Sequence, residues 1–267
     1  STTGTASGTT LTVDQTVPEV SSANSATANG TYNSGDDISV YVIFNEVVTV
    51  TGTPTLELET GASDDTVGYS SGSGSSNLVF DYTVGAGDTS SDLDYKATGS
   101  LLLAGGTIND AAGNPTTLTL ASPGASNSLG ANKALVIDTT APTISTSSIA
   151  SDNSTATLAT TGDVVTLTIA TNENVTTPTV AFTSGGANIT NSVSVSGSSP
   201  GTSFTATYTV HASDTAGSVA ISVSATDVAG NTTSGFTTIS SGSVTVDQSA
   251  PSAFTTGAVT SVGGTVV

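Results

Sequence analysis

The phrase LTVDQTVPEV (Leu11–Val20) returns as LVIDTTAPTI (Leu135–Ile144) and again as VTVDQSAPSA (Val244–Ala253). Each time an apolar strand ends on an aspartate, three residues follow, and then a proline. The pairs are Asp14 and Pro18, Asp138 and Pro142, Asp247 and Pro251. Proline lacks the ladder donor and fixes its own φ, so a strand does not run on past it. The phrase therefore marks a seam between repeats, and fixed-period self-similarity is the signature of a repeat array. The expected division is 1–13 as the last strand of a preceding repeat, 14–137 and 138–246 as two whole repeats, and 247–267 as a linker with the opening strand of a following repeat.

Between the seams the interior repeats as well. GDDISVYVIFNEVV (Gly35–Val48) parallels GDVVTLTIATNENV (Gly162–Val175), and VFDYTVGAGDT (Val79–Thr89) parallels TATYTVHASDT (Thr205–Thr215). INDAAGNP (Ile108–Pro115) parallels ATDVAGNT (Ala225–Thr232), an Asp-x-x-Gly-Asn turn between the last two strands of each repeat. Strict alternation of apolar and polar residues buries one face of a strand, and no segment carries the 3.6-residue apolar period of a long helix. Several short alternating strands per repeat, punctuated by turn residues, predict an all-β fold of tandem antiparallel β-sandwiches.

Composition narrows the function. The chain holds 2 Lys+Arg against 21 Asp+Glu, a formal charge of −19. So few cations cannot neutralise phosphates, which argues against nucleic acid and anionic membranes as partners. The counter-charge suited to a carboxylate-rich chain is a hard divalent cation. Only 9% of residues are charged, so the polarity comes mainly from Ser, Thr, Asn and Gly. Together with frequent β-branched residues, this favours folded strands and turns over disorder. With no cysteine, disulfides and thiolate metal sites are impossible. No apolar run is long enough to span a bilayer. Ser1–Thr10 lack the basic start and apolar core of a signal peptide, so export is expected to be directed by sequence outside this chain.

The stretch DLDYKATGSLLLAGGTINDAAGNP (Asp92–Pro115), continued by LTLASPGASNSLGANKALVIDTTAPT (Leu118–Thr143), resembles the immunoglobulin-like repeats of giant bacterial adhesins and related cell-surface proteins. The second repeat is similar to a shorter member of the same group. The resemblance implies immunoglobulin-like sandwiches in an extended array, forming stalks or fibres outside the cell, with Ca²⁺ bound at or near many domain junctions.

On an immunoglobulin-like plan the repeated acids converge at the poles of the sandwiches. At the central seam, Asp138 in the linker is expected to meet Glu173 and Asp227 from the second repeat. The outgoing pole of the first repeat adds Asp88, with Asp92 or Asp94 nearby. The equivalent set at the first seam is Asp14, Glu46 and Asp110, and at the third it is Asp247 with Asp214. Converging carboxylates repel one another unless a cation joins them. Ca²⁺ accepts six to eight oxygens of this kind. The alternative is that each acid simply caps its own turn, which Asp-x-x-Gly-Asn does without any metal. Asp64–Thr66 has no counterpart in the second repeat and is expected to be a solvated loop.

Catalysis has little support. The one histidine, His211, aligns with Gly85 of the first repeat, and no nucleophile-elbow motif accompanies the many serines. Glu57 and Glu59 share one strand face but lack aromatic residues on which a sugar would stack. Tyr82 and Tyr208 occupy matching positions, as packing residues do. The sequons at Asn29, Asn153, Asn174, Asn188 and Asn231 are expected by chance in so Asn- and Thr-rich a chain. The expected function is a non-catalytic stalk segment of an extracellular adhesin-like surface protein, its partners being neighbouring repeats of the same protein. The alternative is a subunit of a surface layer, sheath or extracellular filament, joined to identical subunits by strand addition or domain contacts.

Overall fold

The computed structural model describes residues 13–250. The strand expected over 1–13, save its last residue, and the opening strand expected from Pro251 onward lie outside the described residues. The chain divides into two compact units. The first runs to Pro142 and takes in Thr226–Thr233; the second is Thr143–Ala225 with the chain from Ser234 onward. The division thus falls after the seam proline, where the expected repeat began at Asp138.

The first unit contains β1 (Val20–Ser25), β2 (Gly30–Tyr32), β3 (Asp37–Thr51), β4 (Thr55–Leu58), β5 (Asp65–Ser71), β6 (Ser75–Thr83), β7 (Thr89–Ser90), β8 (Leu101–Leu102), β9 (Thr107–Asn109) and β10 (Leu135–Asp138). A single helical turn, α1 (Leu129–Asn132), precedes β10. One sheet runs β1-β3-β6-β5-β4-β8 with β9 on the end of β3, and the other runs β2-β10-β7. Strand β5 turns the corner: Asp65–Gly68 pair with β4, whereas Tyr69 and Ser71 pair with β6. The β2–β10 pair is parallel, Gly30–Tyr32 lying beside Leu135–Ile137.

The second unit is built of β11 (Ile144–Ser151), β12 (Leu158–Ala159), β13 (Val164–Val175), β14 (Thr179–Ser184), β15 (Ala187–Asn188), β16 (Ser194–Gly197), β17 (Gly201–Thr209), β18 (Gly217–Thr226), β19 (Thr232–Phe236) and β20 (Thr245–Val246). One sheet is β11-β13-β17-β16; the other is β12-β20-β18-β14-β15 with β19 on β18. Its first, second, fifth and fourth long strands form one sheet, and its third, sixth and seventh the other. This is the immunoglobulin-like arrangement. The first and last short strands, β12 and β20, again run parallel.

Period-two alternation builds both cores. In β3 the side chains of Ile38, Val40, Val42 and Phe44 are buried, and in β13 those of Val165, Leu167 and Ile169 are. Across from them stand Leu78, Phe80 and Tyr82 of β6, and Phe204, Ala206 and Tyr208 of β17. Each fully buried side chain of this size contributes on the order of 1.5–3 kcal/mol. Phe182 and Tyr208 meet with ring centroids 4.9 Å apart. The first repeat is longer before and after its Asp-x-x-Gly-Asn turn, over 90–107 and again over 116–134, the second of these longer segments holding α1. Buried Asp94 secures it: its Oδ1 accepts from the amides of Tyr95 (2.9 Å) and Leu129 (3.2 Å), and its Oδ2 from Gly124 (3.0 Å). Among the described residues no helix is long and apolar enough to cross a membrane.

Candidate metal centre

The alternation that buries β3 continues one step further than its apolar residues. After Ile38, Val40, Val42 and Phe44, the next inward position is Glu46, followed by Val48, which is again fully buried. Pairing with β6 is interrupted between Ile43 and Val48, so the strand bulges where the carboxylate stands. Glu46 keeps partial exposure as a residue, yet its Oε1 is covered and has no hydrogen-bond partner. A covered carboxylate oxygen without a donor is costly unless a cation meets it.

Asp110 arrives from the other side. It follows β9 and opens a tight turn in which Gly113 adopts φ +94°, a value that glycine tolerates without strain. The amide of Asp110 donates to Asn114 O at 3.1 Å, and Gly113 N donates back to Asp110 O at 3.3 Å. Asn114 then grips the carboxylate twice, its backbone N donating to Oδ1 at 2.8 Å and its Nδ2 to Oδ2 at 2.6 Å. Asp14 comes from the linker that precedes β1. Its Oδ1 accepts from Thr16 N at 3.0 Å, an Asx turn that holds the side chain against its own backbone. One ligand oxygen each from Asp14, Glu46 and Asp110 lies within 4.8 Å of the others.

The charges are unequally held. Burial, then the charges of Asp110 and Asp14, push the Glu46 carboxyl above its usual range. Burial works against Asp110 too, but the Asn114 side chain and the amides of Asn114, Gly113 and Ala112 outweigh it and hold Asp110 below the usual range. The donor set fits a hard cation: it is all oxygen, on a linker, a strand bulge and a tight turn. Oxygens that each lie about 2.4 Å from a Ca²⁺ ion are at most about 4.8 Å apart. Backbone carbonyls and water would complete the shell.

The same construction recurs. Thr140 N donates to Asp138 Oδ1 at 3.0 Å. Asn231 holds Asp227 by backbone N to Oδ1 (2.8 Å) and by Nδ2 to Oδ2 (2.9 Å). In β13 the inward series Val165, Leu167, Ile169, Thr171 leads to Glu173 and then Val175, again across an interruption in pairing, here between Ala170 and Val175. Each glutamate follows an asparagine that locks the chain ahead of the first long strand. Glu19 N donates to Asn45 Oδ1 at 2.9 Å and Asn45 N to Glu19 O at 3.0 Å. In the second repeat Thr143 N donates to Asn172 Oδ1 at 2.6 Å and Asn172 N to Thr143 O at 3.1 Å.

The other acids are used differently. Asp88 folds back on its own strand, its Oδ2 accepting from Tyr82 Oη at 2.6 Å and from Gly85 N at 2.7 Å. Asp214 does the same in the second repeat: Oδ2 accepts from His211 N at 2.9 Å and Oδ1 from Thr190 N at 2.8 Å. Burial opposes the charge on Asp214, but these donors hold its carboxyl below the usual range. Asp94 staples the segment that holds α1, and Asp92 lines a hollow beside it with Glu59 and Lys96. Asp247 makes an Asx turn with Ser249 N at 2.8 Å. Among the described residues, no cluster of three acids forms around Asp88, Asp214 or Asp247. Asp64, expected in a solvated loop, is instead largely covered and pairs with Lys96 at 2.7 Å, which Glu57 also reaches at 3.1 Å. His211 is exposed with its Nδ1 on Ser213 Oγ.

No protein-family model matches the chain, and no curated protein does. Among solved structures, a marsupial T cell receptor is similar at 14% identity, covering 85% of this chain and 99% of its own, with a TM-score of 0.27. A chimeric titin Z1Z2 carrying an exogenous decorin peptide gives 13%, 87% and 97%, with a TM-score of 0.27. The tandem Ig repeats of Dlar give 13%, 87% and 98%, with a TM-score of 0.23. At such identities and scores these likenesses carry nothing about activity or partners.

Proposed function

We propose that this chain is a non-catalytic stalk segment of an extracellular, adhesin-like surface protein, with Ca²⁺ tying each linker to the repeat after it. The observation that carries the reading is the convergence of Asp14, Glu46 and Asp110, with one oxygen of Glu46, Oε1, covered and unpartnered. One ligand comes from the linker and two from the repeat, so an ion held there restrains the linker as well as the fold. Sandwiches on free linkers move independently; a cation at the seam removes that freedom. By sequence equivalence the second set is Asp138, Glu173 and Asp227. Asp88, Asp214 and Asp247 are left out of the sites, because among the described residues no cluster of three acids forms around any of them.

The test is calorimetric titration of the full chain with Ca²⁺, followed by thermal unfolding in millimolar Ca²⁺ and in excess EDTA. The reading expects saturable binding and a higher melting temperature with the ion, since a ligand that binds only the folded form stabilises it by mass action. No heat and no shift would remove calcium from the account. Sedimentation in Ca²⁺ tests the stalk against the lattice: a stalk segment stays monomeric, whereas a filament or surface-layer subunit associates.

A further inference from the structure

We propose that Asn114, and Asn231 at the equivalent place, are positioning residues of the cation sites: one amide group holds two of the three ligating carboxylates, both aspartates, in place before any ion arrives. The proposal rests on the calcium reading and deepens it.

The side chain of Asn114 has two N–H donors. One goes to Asp110 Oδ2 at 2.6 Å and the other to the backbone carbonyl of Asp14 at 3.2 Å. The first bond, with the backbone donor at 2.8 Å to Oδ1, fixes the plane of a carboxylate that is only 6% exposed. The second bond fixes the backbone of the linker aspartate, whose side chain is already set by its Asx turn with Thr16. Glu46 needs no such help, because its strand and the reciprocal Asn45–Glu19 bonds place it. Every one of these contacts is made by protein donors alone.

Asn231 repeats each contact. Its Nδ2 donates to Asp138 O at 2.8 Å and to Asp227 Oδ2 at 2.9 Å, and its backbone N to Asp227 Oδ1 at 2.8 Å. Pro115 comes after one turn and Thr232 after the other, so the shared geometry belongs to the asparagine. No other short side chain substitutes for it. Serine has one donor and shorter reach, and aspartate has none when ionised and adds a negative charge.

Partners of this kind, which orient ligands without touching the ion, typically contribute 10- to 100-fold in metal affinity. The experiment compares the full chain with an Asn114→Ala/Asn231→Ala double variant, titrated with Ca²⁺ alone by calorimetry and unfolded separately in EDTA. The expected result is a variant that still folds in EDTA and binds Ca²⁺ with the parental stoichiometry, but at least tenfold more weakly. A purely structural role would lower the EDTA melting temperature and leave the affinity of the folded chain alone; an unchanged Kd therefore overturns the proposal. Parental protein that takes up no Ca²⁺ overturns the calcium reading and this proposal with it, and is recognised from the parental titration alone. Should the double variant not fold, Asn114→Asp decides in the same titration. The added carboxylate would by charge tighten binding, whereas loss of the two donors weakens it; tighter binding refutes the positioning role.

Discussion

Replacing Glu46 with glutamine should change stability in opposite directions depending on the solution. Glutamine keeps the shape and removes the charge. In EDTA at neutral pH, Glu46 is an acid whose ionisation is opposed by burial and by Asp110 and Asp14, so removing the charge should raise the melting temperature of the first repeat or leave it unchanged. In Ca²⁺ the same change deletes a ligand. For an extracellular site with Kd on the order of 10⁻⁴ M, 5 mM Ca²⁺ stabilises the parental repeat by about 2.3 kcal/mol. For a domain of about 120 residues this is a shift of roughly 9 °C. A tenfold weaker site would shift by only about 4 °C at the same ion concentration. Differential scanning calorimetry in the two buffers reads both numbers on one sample, and the second repeat supplies an internal reference. If the variant melts below the parent by the same margin in EDTA and in Ca²⁺, Glu46 is an ordinary packing residue and the reasoning fails.

The EDTA advantage of Glu46→Gln should also depend on pH. A carboxyl with a raised folded-state pKa contributes stability below its unfolded value and loses it as pH rises through the folded value, so the gap between variant and parent should close on acidification and open towards neutrality in parallel melts. Tyr82→Phe and Tyr208→Phe should part company, although both rings are buried at matching positions. Tyr82 donates to the Asp88 carboxylate at 2.6 Å, so losing its hydroxyl should cost about 2 kcal/mol by urea titration. The Tyr208 hydroxyl is buried without a partner, and its removal should be neutral or stabilising by about 1 kcal/mol. Asp94→Ala strands three backbone donors and should lower the first unfolding transition by about 3 kcal/mol while leaving the second in place.

The sandwiches were legible because their signal is local. Alternation with period two places Val40 and Leu167 inward whatever the loops do, and the seam phrase repeats within a single line of sequence. The same period put Glu46 and Glu173 on the inward face, a charge out of place in an apolar series. Asp88 and Asp214 have the same spacing in both repeats, and a shared structural duty produces such repetition as readily as a shared ligand. Whether a loop aspartate faces outward or bends back to the strand it has just left depends on φ and ψ at three residues, which composition does not encode. Asp94 and α1 belong to the longer segments of the first repeat, so no second copy pointed to them. Asparagines are by themselves turn formers. Their recurrence in Asp-x-x-Gly-Asn and Asn-Glu was the available sign that their side chains do more.

In each repeat the strand that leads into the next linker lies beside one of the earliest strands and runs in the same direction, β10 along Gly30–Tyr32 and β20 along Leu158–Ala159. Tension applied along the chain therefore pulls these neighbours past each other in shear. Their backbone bonds share the load and must yield together, where a hairpin pulled at its open end would unzip one bond at a time. A chain stretched from its ends would meet its resistance at these few short bridges.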